Sequence, residues 1–267
     1  MNLVDIQAGG REFRIEFDWV GDADPDAPVV AFLHEGLGSL SMWRDFPQRL
    51  CEAAGIRGLV YSRPGYGHST PRAPDEHWGP DFMHVQARQV LPALLHALGI
   101  TRPAHLFGHS DGGSIALIHA ASFPDRVASV TVMAPHLMVE EFGLVSIREA
   151  RVAYGTTDLR AKLGRHHADV DSAFRGWNDI WLSPDFLSWS IESLLPDIRC
   201  PVLAIQGVDD RYGTMEHIDG IARVLPETRL LKLDACGHSP HRDQPEQVID
   251  ATVEFLRGLK RTGIGRS

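Results

Sequence analysis

Short, almost continuously apolar runs recur along the chain, separated by longer stretches whose apolar residues repeat with helical spacing. Strands that are apolar on both faces are typical of a parallel sheet with helices on both sides. The predicted strands span 29–33, 58–61, 104–107, 128–133, 202–205 and 230–233, and the predicted helices span 41–54, 81–98, 113–122, 215–224 and 246–259. This alternation predicts an α/β fold with a doubly wound, mostly parallel sheet.

The two ends of the chain have a different pattern. Residues 11–20 alternate apolar and polar side chains, which predicts a half-exposed antiparallel strand at the edge of the sheet. Residues 261–267 are glycine-rich and basic and are expected to form a frayed tail.

The segment 137–196 interrupts the alternation, because about 60 residues are too many for a simple connection in a compact domain. Three helical patterns lie within it, at 144–154, 158–166 and 170–177. Three of the six tryptophans also fall here, namely Trp177, Trp181 and Trp189. We therefore predict a helical cap at 137–196, inserted into a core domain formed by residues 1–136 and 197–267.

Composition and charge narrow the class of protein. The 267 residues are 43% hydrophobic and 23% charged, which is typical of a soluble globular protein. The formal net charge is −9 and the basic residues are scattered, which argues against a nucleic-acid partner. No stretch approaches the ~20 apolar residues of a membrane span, and three distant cysteines fit neither a disulfide framework nor a structural zinc site. We expect a cytoplasmic protein without a membrane or nucleic-acid partner.

The sequence Gly108-His109-Ser110-Asp111-Gly112 lies between a predicted strand and a predicted helix. In this context the G-x-S-x-G pattern is typical of a nucleophile elbow, a sharp turn at which neighbouring side chains would clash without the glycines. Ser110 is therefore the predicted nucleophile. A serine hydroxyl needs an adjacent base, and the base needs an acid to orient it.

The chain order that accompanies such an elbow places the acid and then the base after the serine. Of the fourteen histidines, His238 lies in a loop directly after the last predicted strand, at the edge of the sheet where such folds bind ligands. His238 is the predicted base, and His241 is expected to help hold its loop. The loop after the preceding strand offers two acids, Asp209 and Asp210, between which spacing does not choose.

Stabilising the oxyanion of an acyl-transfer intermediate requires two preorganised N–H groups. The residue after the nucleophile, Asp111, supplies one of them. The other is predicted at Gly36, in the glycine-containing loop that follows the strand 29–33.

Together these motifs resemble those of the α/β-hydrolase superfamily over nearly the whole chain. The matching pieces are His34-Glu35-Gly36-Leu37-Gly38, Ser62-Arg63-Pro64-Gly65-Tyr66-Gly67-His68-Ser69, the elbow, the G-x-x-D motif from Gly207 to Asp210, and Gly237-His238-Ser239-Pro240. The resemblance implies an eight-stranded, mostly parallel α/β-hydrolase sheet with a helical cap where 137–196 falls. It also implies that Asp210, the last residue of its G-x-x-D motif, is the acid.

Two residues depart from the superfamily pattern. Glu35 stands where the oxyanion loop usually has glycine, and Asp111 stands where the residue after the nucleophile is often apolar. They are expected either to pair with Arg63 or cap the helix after the elbow, or to contact a hydroxyl or cationic group of the substrate. Among the aromatic residues of the cap, Trp181 is the expected pocket-lining residue.

The resemblance implies hydrolysis of a carboxylic ester, lactones and macrolide esters included, through an acyl-enzyme on Ser110. Members that cleave carbon–halogen bonds or epoxides use aspartate at the elbow, so the serine argues against both. Two alternatives stay open: cleavage of a C–C, thioester or amide bond by the same triad, and a non-catalytic ligand receptor. We expect a small-molecule ester substrate, no cofactor, and a monomer or homodimer. No metal is expected, because the adjacent His166 and His167 lack a metal-binding spacing.

Overall fold

A computed structural model describes residues 1–73 and 75–262 of the protein. Within these residues the eight strands are β1 (Asn2–Ala8), β2 (Arg11–Gly21), β3 (Val29–Leu33), β4 (Arg57–Tyr61), β5 (Ala104–His109), β6 (Val127–Met133), β7 (Val202–Gly207) and β8 (Arg229–Leu233). They form one sheet in the order β1-β2-β4-β3-β5-β6-β7-β8. Strands β3 to β8 are parallel, and β1 and β2 pair antiparallel at one side. The predicted fold class, a mostly parallel α/β sheet, is confirmed.

The two faces of the sheet carry separate hydrophobic clusters, because successive side chains of a strand point to opposite faces. Phe32 and Phe107 are paired in register on β3 and β5 and belong to one cluster. Their neighbours Leu33 and Leu106 belong to the other. Burial on both faces explains why these strands are apolar at nearly every position.

Helices cover both faces. Among the described residues they are α1 (Phe46–Ala54), α2 (Phe82–Val85), α3 (Leu91–Ala97), α4 (Asp111–Ser122), α5 (Glu141–Thr156), α6 (Leu159–Leu163), α7 (Val170–Trp181), α8 (Glu216–Val224), α9 (Pro240–Asp243) and α10 (Pro245–Thr262). Helices α1 and α10 pack on the face of Phe32, and α2, α3 and α4 pack on the face of Leu33. A π-helical turn at Gln86–Val90 joins α2 to α3, so the helix predicted at 81–98 is continuous.

Residues 11–20 form the predicted antiparallel strand at the N-terminal side of the sheet, but they are not its outermost strand. Strand β2 pairs with β1 on one side and with β4 on the other, so β1 is the edge. A tight turn at Gly9 and Gly10, with φ of 57° and 74°, connects β1 to β2. Because β1 buries only Ile6 and Ala8, its own apolar pattern is weak.

The segment 137–196 leaves the sheet after β6 and returns to it at β7. Its secondary structure consists of α5, α6, α7 and two 3-10 turns, Pro184–Phe186 and Glu192–Asp197. Its two ends lie together, since the N–H of Ile191 donates to the carbonyl of Leu137 at 2.7 Å and Met138 forms an isolated bridge with Ser190. The chain therefore departs from the sheet and rejoins it at nearly the same place.

The prediction of a frayed tail at 261–267 is wrong for its first two residues. The first two residues of the predicted tail, 261 and 262, belong to α10, and residues 263–267 lie outside the described residues. In the part of the chain that the structure describes, no helix combines the length and apolar character needed to cross a membrane.

Candidate active site

Ser110 occupies a sharp turn between β5 and α4. Its φ of 53° is a conformation that residues other than glycine rarely adopt. The flanking glycines are required by close packing: a Cβ on Gly108 would lie 2.3 Å from the carbonyl oxygen of Gly112, and a Cβ on Gly112 would lie 2.0 Å from that of Leu33. The turn is therefore wedged against the end of β3, and only glycine fits on either side of Ser110.

The structure brings Ser110, His238 and Asp210 together. The Nε2 atom of His238 lies 2.9 Å from Ser110 Oγ, and its Nδ1 lies 2.9 Å from both carboxylate oxygens of Asp210. Because a carboxylate only accepts hydrogen bonds, Nδ1 carries the proton and Nε2 is free to accept one from Ser110. This is the geometry of a serine prepared for nucleophilic attack.

Asp210 is held in place by two further donors. The side-chain amide of Gln206 donates to its Oδ2 at 2.9 Å, and the backbone N–H of Tyr212 donates to its Oδ1 at 2.8 Å. The ring of Tyr212 also lies 4.6 Å from the imidazole of His238, measured between centroids. The alternative acid, Asp209, is exposed. The arrangement that the superfamily resemblance implies, with Asp210 facing His238, is the one the structure contains.

A second imidazole contacts the loop of His238. The Nε2 atom of His109 lies 2.6 Å from the backbone carbonyl of His238, and its Nδ1 lies 3.4 Å from a carboxylate oxygen of Glu35. The other Glu35 oxygen lies 3.6 Å from the guanidinium of Arg242. Burial opposes ionisation of Glu35, but the contact with His109 and the positive charge of Arg242 outweigh it and hold the pKa of this carboxyl well below its usual range. Glu35 is therefore a carboxylate at neutral pH.

His241 packs against the same imidazole, as the prediction that it helps to hold the His238 loop requires. Its ring centroid lies 4.9 Å from that of His109 and 5.0 Å from that of Trp43. Burial lowers the pKa of His241 to about 2, so its ring is neutral.

The predicted oxyanion loop, which follows β3, is fixed by the buried Arg63. Its guanidinium donates to the backbone carbonyl of Glu35 at 2.9 Å, and its backbone N–H donates to the ring of His34 at 3.0 Å. The expectation that the Glu35 carboxylate pairs with Arg63 is wrong, since Arg63 binds the carbonyl and the carboxylate faces His109. Glu35 is not among the described residues with positive φ, so its backbone accommodates a side chain where the superfamily usually has glycine.

Helix α7 lies against both predicted oxyanion donors. A Cβ on Gly36 would lie 2.2 Å from the indole of Trp177. One turn further along, the indole N–H of Trp181 donates to the Asp111 carboxylate at 3.1 Å. Because residues four apart share a face of a helix, one side of α7 contacts both places. Ser110 is only 5% exposed beneath this face.

Asp111 is the first residue of α4, so its N–H belongs to those that have no acceptor within the helix. Its carboxylate is completely buried and meets Trp181 rather than capping the helix. Burial raises the pKa of Asp111 to about 6, although Arg63, Trp181 and His238 all act in the opposite direction. The second oxygen, Oδ2, has no hydrogen-bond partner among the described residues.

The remaining histidines of interest are engaged elsewhere. His217, which also follows the acid in the chain, lies 2.9 Å from a carboxylate oxygen of Glu140. His166 lies 2.9 Å from the hydroxyl of Ser41, and His167 lies 3.0 Å from the carbonyl of Leu37. Within residues 1–73 and 75–262, no group of three or more His, Cys, Asp or Glu side chains is placed to hold a metal ion.

Several residues of the site were not identified from the sequence. His109 stands inside the elbow motif and Trp177 stands one helical turn before Trp181, so both carried a signal. Gln206, Tyr212 and Arg242 carried none, because their roles depend on how β7, the loop after it and α9 meet in the fold.

Comparison with known proteins places these observations in a family. The family described as alpha/beta hydrolase fold matches residues 28–177. A 2-hydroxy-6-oxo-6-phenylhexa-2,4-dienoate hydrolase of Burkholderia cepacia is 26% identical over 277 aligned positions, covering 94% of this chain and 93% of that protein. Among solved structures, an esterase from Thermogutta terrifontis has a TM-score of 0.72 at 21% identity, covering 97% of this chain and 99% of its own. The enol-lactonase from Burkholderia xenovorans LB400 has a TM-score of 0.74 at 20% identity, covering 95% and 99%.

Proposed function

The chain belongs to the alpha/beta hydrolase fold family, and from this premise we propose that it is a serine hydrolase that cleaves a carboxylic ester, or a lactone, of a small to medium-sized molecule. The observation that carries the proposal is the chain of contacts from Ser110 through His238 to Asp210, each 2.9 Å long, at a turn where Ser110 has a φ of 53°. An esterase and an enol-lactonase share its fold.

In the proposed reaction, His238 takes the proton of Ser110 as its oxygen attacks the carbonyl carbon. Asp210 holds the imidazole and stabilises its charged form. The N–H groups of Gly36 and Asp111 stabilise the tetrahedral oxyanion. His238 then protonates the leaving alkoxide, and a water molecule releases the acyl group by the same steps in reverse.

We propose further that the segment 137–196 is a cap over this site. Trp177 and Trp181 support this assignment, because they pack against Gly36 and Asp111, respectively. Beneath them, Ser110 is nearly inaccessible to solvent. Substrate entry then requires α7 to move away from the sheet, and the residues of its inner face line the acyl pocket.

Hydrolysis of a C–C bond is the second candidate, favoured by the similarity to the dienoate hydrolase. Such a substrate carries its own carboxylate. The buried Asp111 carboxylate beside the nucleophile disfavours an anionic group there, which is why the ester is placed first.

The proposal is tested with a fluorophosphonate probe and short-chain aryl esters. The wild-type protein is expected to become labelled and to hydrolyse the esters, and Ser110→Ala is expected to do neither. Ser122→Ala, at the far end of α4, serves as the control for replacing a serine. Folded wild-type protein that takes no label would overturn the proposal, and faster turnover of a 2-hydroxy-6-oxo-dienoate than of any ester would establish the second candidate.

A further inference from the structure

The carboxylate of Asp111 has an unexplained free oxygen directly beside the nucleophile. Its Oδ1 accepts the indole N–H of Trp181 at 3.1 Å, whereas Oδ2 is buried and lacks a hydrogen-bond partner among the described residues. An unsatisfied buried polar atom costs about 1–3 kcal/mol, and more when it is charged. A residue that carries this cost at a catalytic centre is a candidate for binding a ligand.

The charged groups around Asp111 do not satisfy this oxygen. Arg63 is the cation that acts on it most strongly, but the guanidinium of Arg63 is committed to the carbonyl of Glu35 at 2.9 Å and to the ring of His34. His238 adds a weaker favourable influence and Glu35 an unfavourable one. The negative charge of Asp111 also opposes ionisation of Tyr66. The buried hydroxyl of Tyr66 likewise has no hydrogen-bond partner among the described residues.

We propose that Oδ2 of Asp111 binds a hydrogen-bond donor on the acyl part of the substrate, an amino or hydroxyl group on the carbon next to the scissile carbonyl. The proposal rests on the proposed function. In the proposed reaction, the backbone N–H of Asp111 also binds the carbonyl oxygen of the substrate. The carboxylate of the same residue therefore lies close to the scissile carbonyl. His238 must reach the leaving oxygen, which places the alcohol part on its side and leaves the acyl part to Asp111.

The two donor groups differ in strength. A hydrogen bond between ionised partners is about twice as strong as one between neutral groups. A protonated amine is therefore expected to gain more from Asp111 than a hydroxyl does, and a hydroxyl more than a hydrogen atom.

Benzyl esters of alanine, lactic acid and propionic acid test this, because they differ only in the group on the carbon next to the carbonyl. For the wild-type protein, kcat/KM is expected to fall in that order. Asp111→Asn keeps the shape of the side chain and an oxygen for Trp181 but removes the charge. It is expected to reduce the ratio of kcat/KM for the alanine and propionic esters by about tenfold or more. A ratio that changes by less than about twofold would overturn the proposal.

The pH dependence of the same ratio supplies a readout that a structural role would not change. Because both esters use the same triad, any pH dependence that the triad imposes is common to both and cancels in the ratio. Ionisation of Asp111, with its pKa at about 6, is expected to raise the ratio between about pH 5 and pH 7. Trp181→Phe removes the N–H that stabilises the carboxylate, so it should move this rise to higher pH, and Asp111→Asn should abolish it.

Failure of this inference is distinguishable from failure of the proposed function. If the fluorophosphonate labels both the wild type and Asp111→Asn but the three esters are cleaved equally, only the assignment of Asp111 is wrong. If neither protein is labelled and none of the esters is cleaved, the proposed function is wrong as well.

Discussion

A carbonyl oxygen only accepts hydrogen bonds, so Nε2 of His109 must carry a proton in its 2.6 Å contact with the backbone of His238. Nδ1 of His109 lies 3.4 Å from one carboxylate oxygen of Glu35, a contact that is not a hydrogen bond, and the other carboxylate oxygen lies 3.6 Å from the guanidinium of Arg242. Glu35 thus connects the loop after β3 to the imidazole that contacts the backbone of His238.

Glu35→Gln is expected to lower kcat by about tenfold for every ester, with little change in KM, because the charge that contacts His109 and Arg242 is lost while the shape of the side chain is kept. Steady-state kinetics on neutral and charged esters measures this. Glu246→Gln, a change at an exposed glutamate paired with Arg49, is the control. A loss confined to one class of ester would instead place Glu35 in contact with the substrate.

The residues of the proposed triad could be predicted because each stands directly after a strand, and the carboxyl ends of parallel strands meet at one edge of the sheet. The group formed by Glu35, His109 and Arg242 could not. Glu35 lies in the loop after β3, His109 is the last residue of β5 and Arg242 lies in α9, and nothing in the local pattern of any one of these elements indicates the other two. The choice of Asp210 over Asp209 likewise needed the family motif, because neighbouring residues in a loop have no fixed orientation.

Helix α5 is tied to the loop of the acid by Glu140, the residue just before it. Its carboxylate accepts the backbone N–H of Thr214 at 2.9 Å and the hydroxyl of the same residue at 2.7 Å, and lies 2.9 Å from Nε2 of His217. One turn later, Gly143 packs so tightly that a Cβ would lie 2.1 Å from the carbonyl oxygen of Tyr212. Since Tyr212 packs on His238, this helix helps to position the imidazole of His238.

Glu140→Gln is expected to destabilise the protein by about 1–2 kcal/mol at pH 7, a range that allows for solvent screening of a partly exposed carboxylate. Burial opposes ionisation of Glu140, but His217 and Thr214 outweigh it and lower its pKa to about 2. A carboxyl whose pKa is lower in the folded protein stabilises it fully above the unfolded value, and this contribution is lost as the pH falls towards about 2. The loss caused by the substitution should therefore be smaller at pH 3 than at pH 7.

Urea unfolding at the two pH values measures this difference. Glu141→Gln is the control, because Glu141 is exposed and its pair with Arg148 is a surface ion pair that contributes little. Equal losses at pH 3 and pH 7 for Glu140→Gln would contradict the argument.

Strands and helices were predictable where burial gives their apolar residues a clear periodicity. They were less predictable at the edge of the sheet and where a helix is interrupted. The interior strands are apolar because both faces are covered, but β1 is covered on one side only. Its turn, Gly9-Gly10, was the stronger signal, because adjacent glycines between two alternating runs favour a tight hairpin. The helix predicted at 41–54 is interrupted at Arg44, whose φ of 55° ends the 3-10 turn Leu40–Trp43 before α1 begins. Pro47, in the first turn of α1, was the available signal for this break, because proline is favoured in the first turn of a helix and not in its interior.

The segment 137–196 contributes to only one of the two hydrophobic clusters of the described residues. The cluster around Phe32 is built entirely from residues outside 137–196. The cluster on the opposite face joins Leu106 and Val132 of the sheet to Trp181 and Phe186 of that segment. The apolar face of α7 is thus buried against the rest of the molecule, and a 12-residue helix of this kind is marginal in water without such packing.

Unfolding is therefore expected to be a single cooperative transition in which the segment 137–196 and the sheet lose structure together. Three of the six tryptophans lie in the segment, so half of the fluorescent tryptophans report on it, whereas far-UV circular dichroism reports on the whole chain. The two signals should give the same midpoint in urea, and the calorimetric and van't Hoff enthalpies should agree. An earlier fluorescence transition, with most of the circular dichroism retained, would show that the segment opens by itself.

The shared cluster argues against that outcome, because releasing α7 exposes Leu106 and Val132 together with the tryptophans. Under the proposed function, substrate entry is therefore expected to proceed by a local displacement of α7 and not by unfolding of the segment.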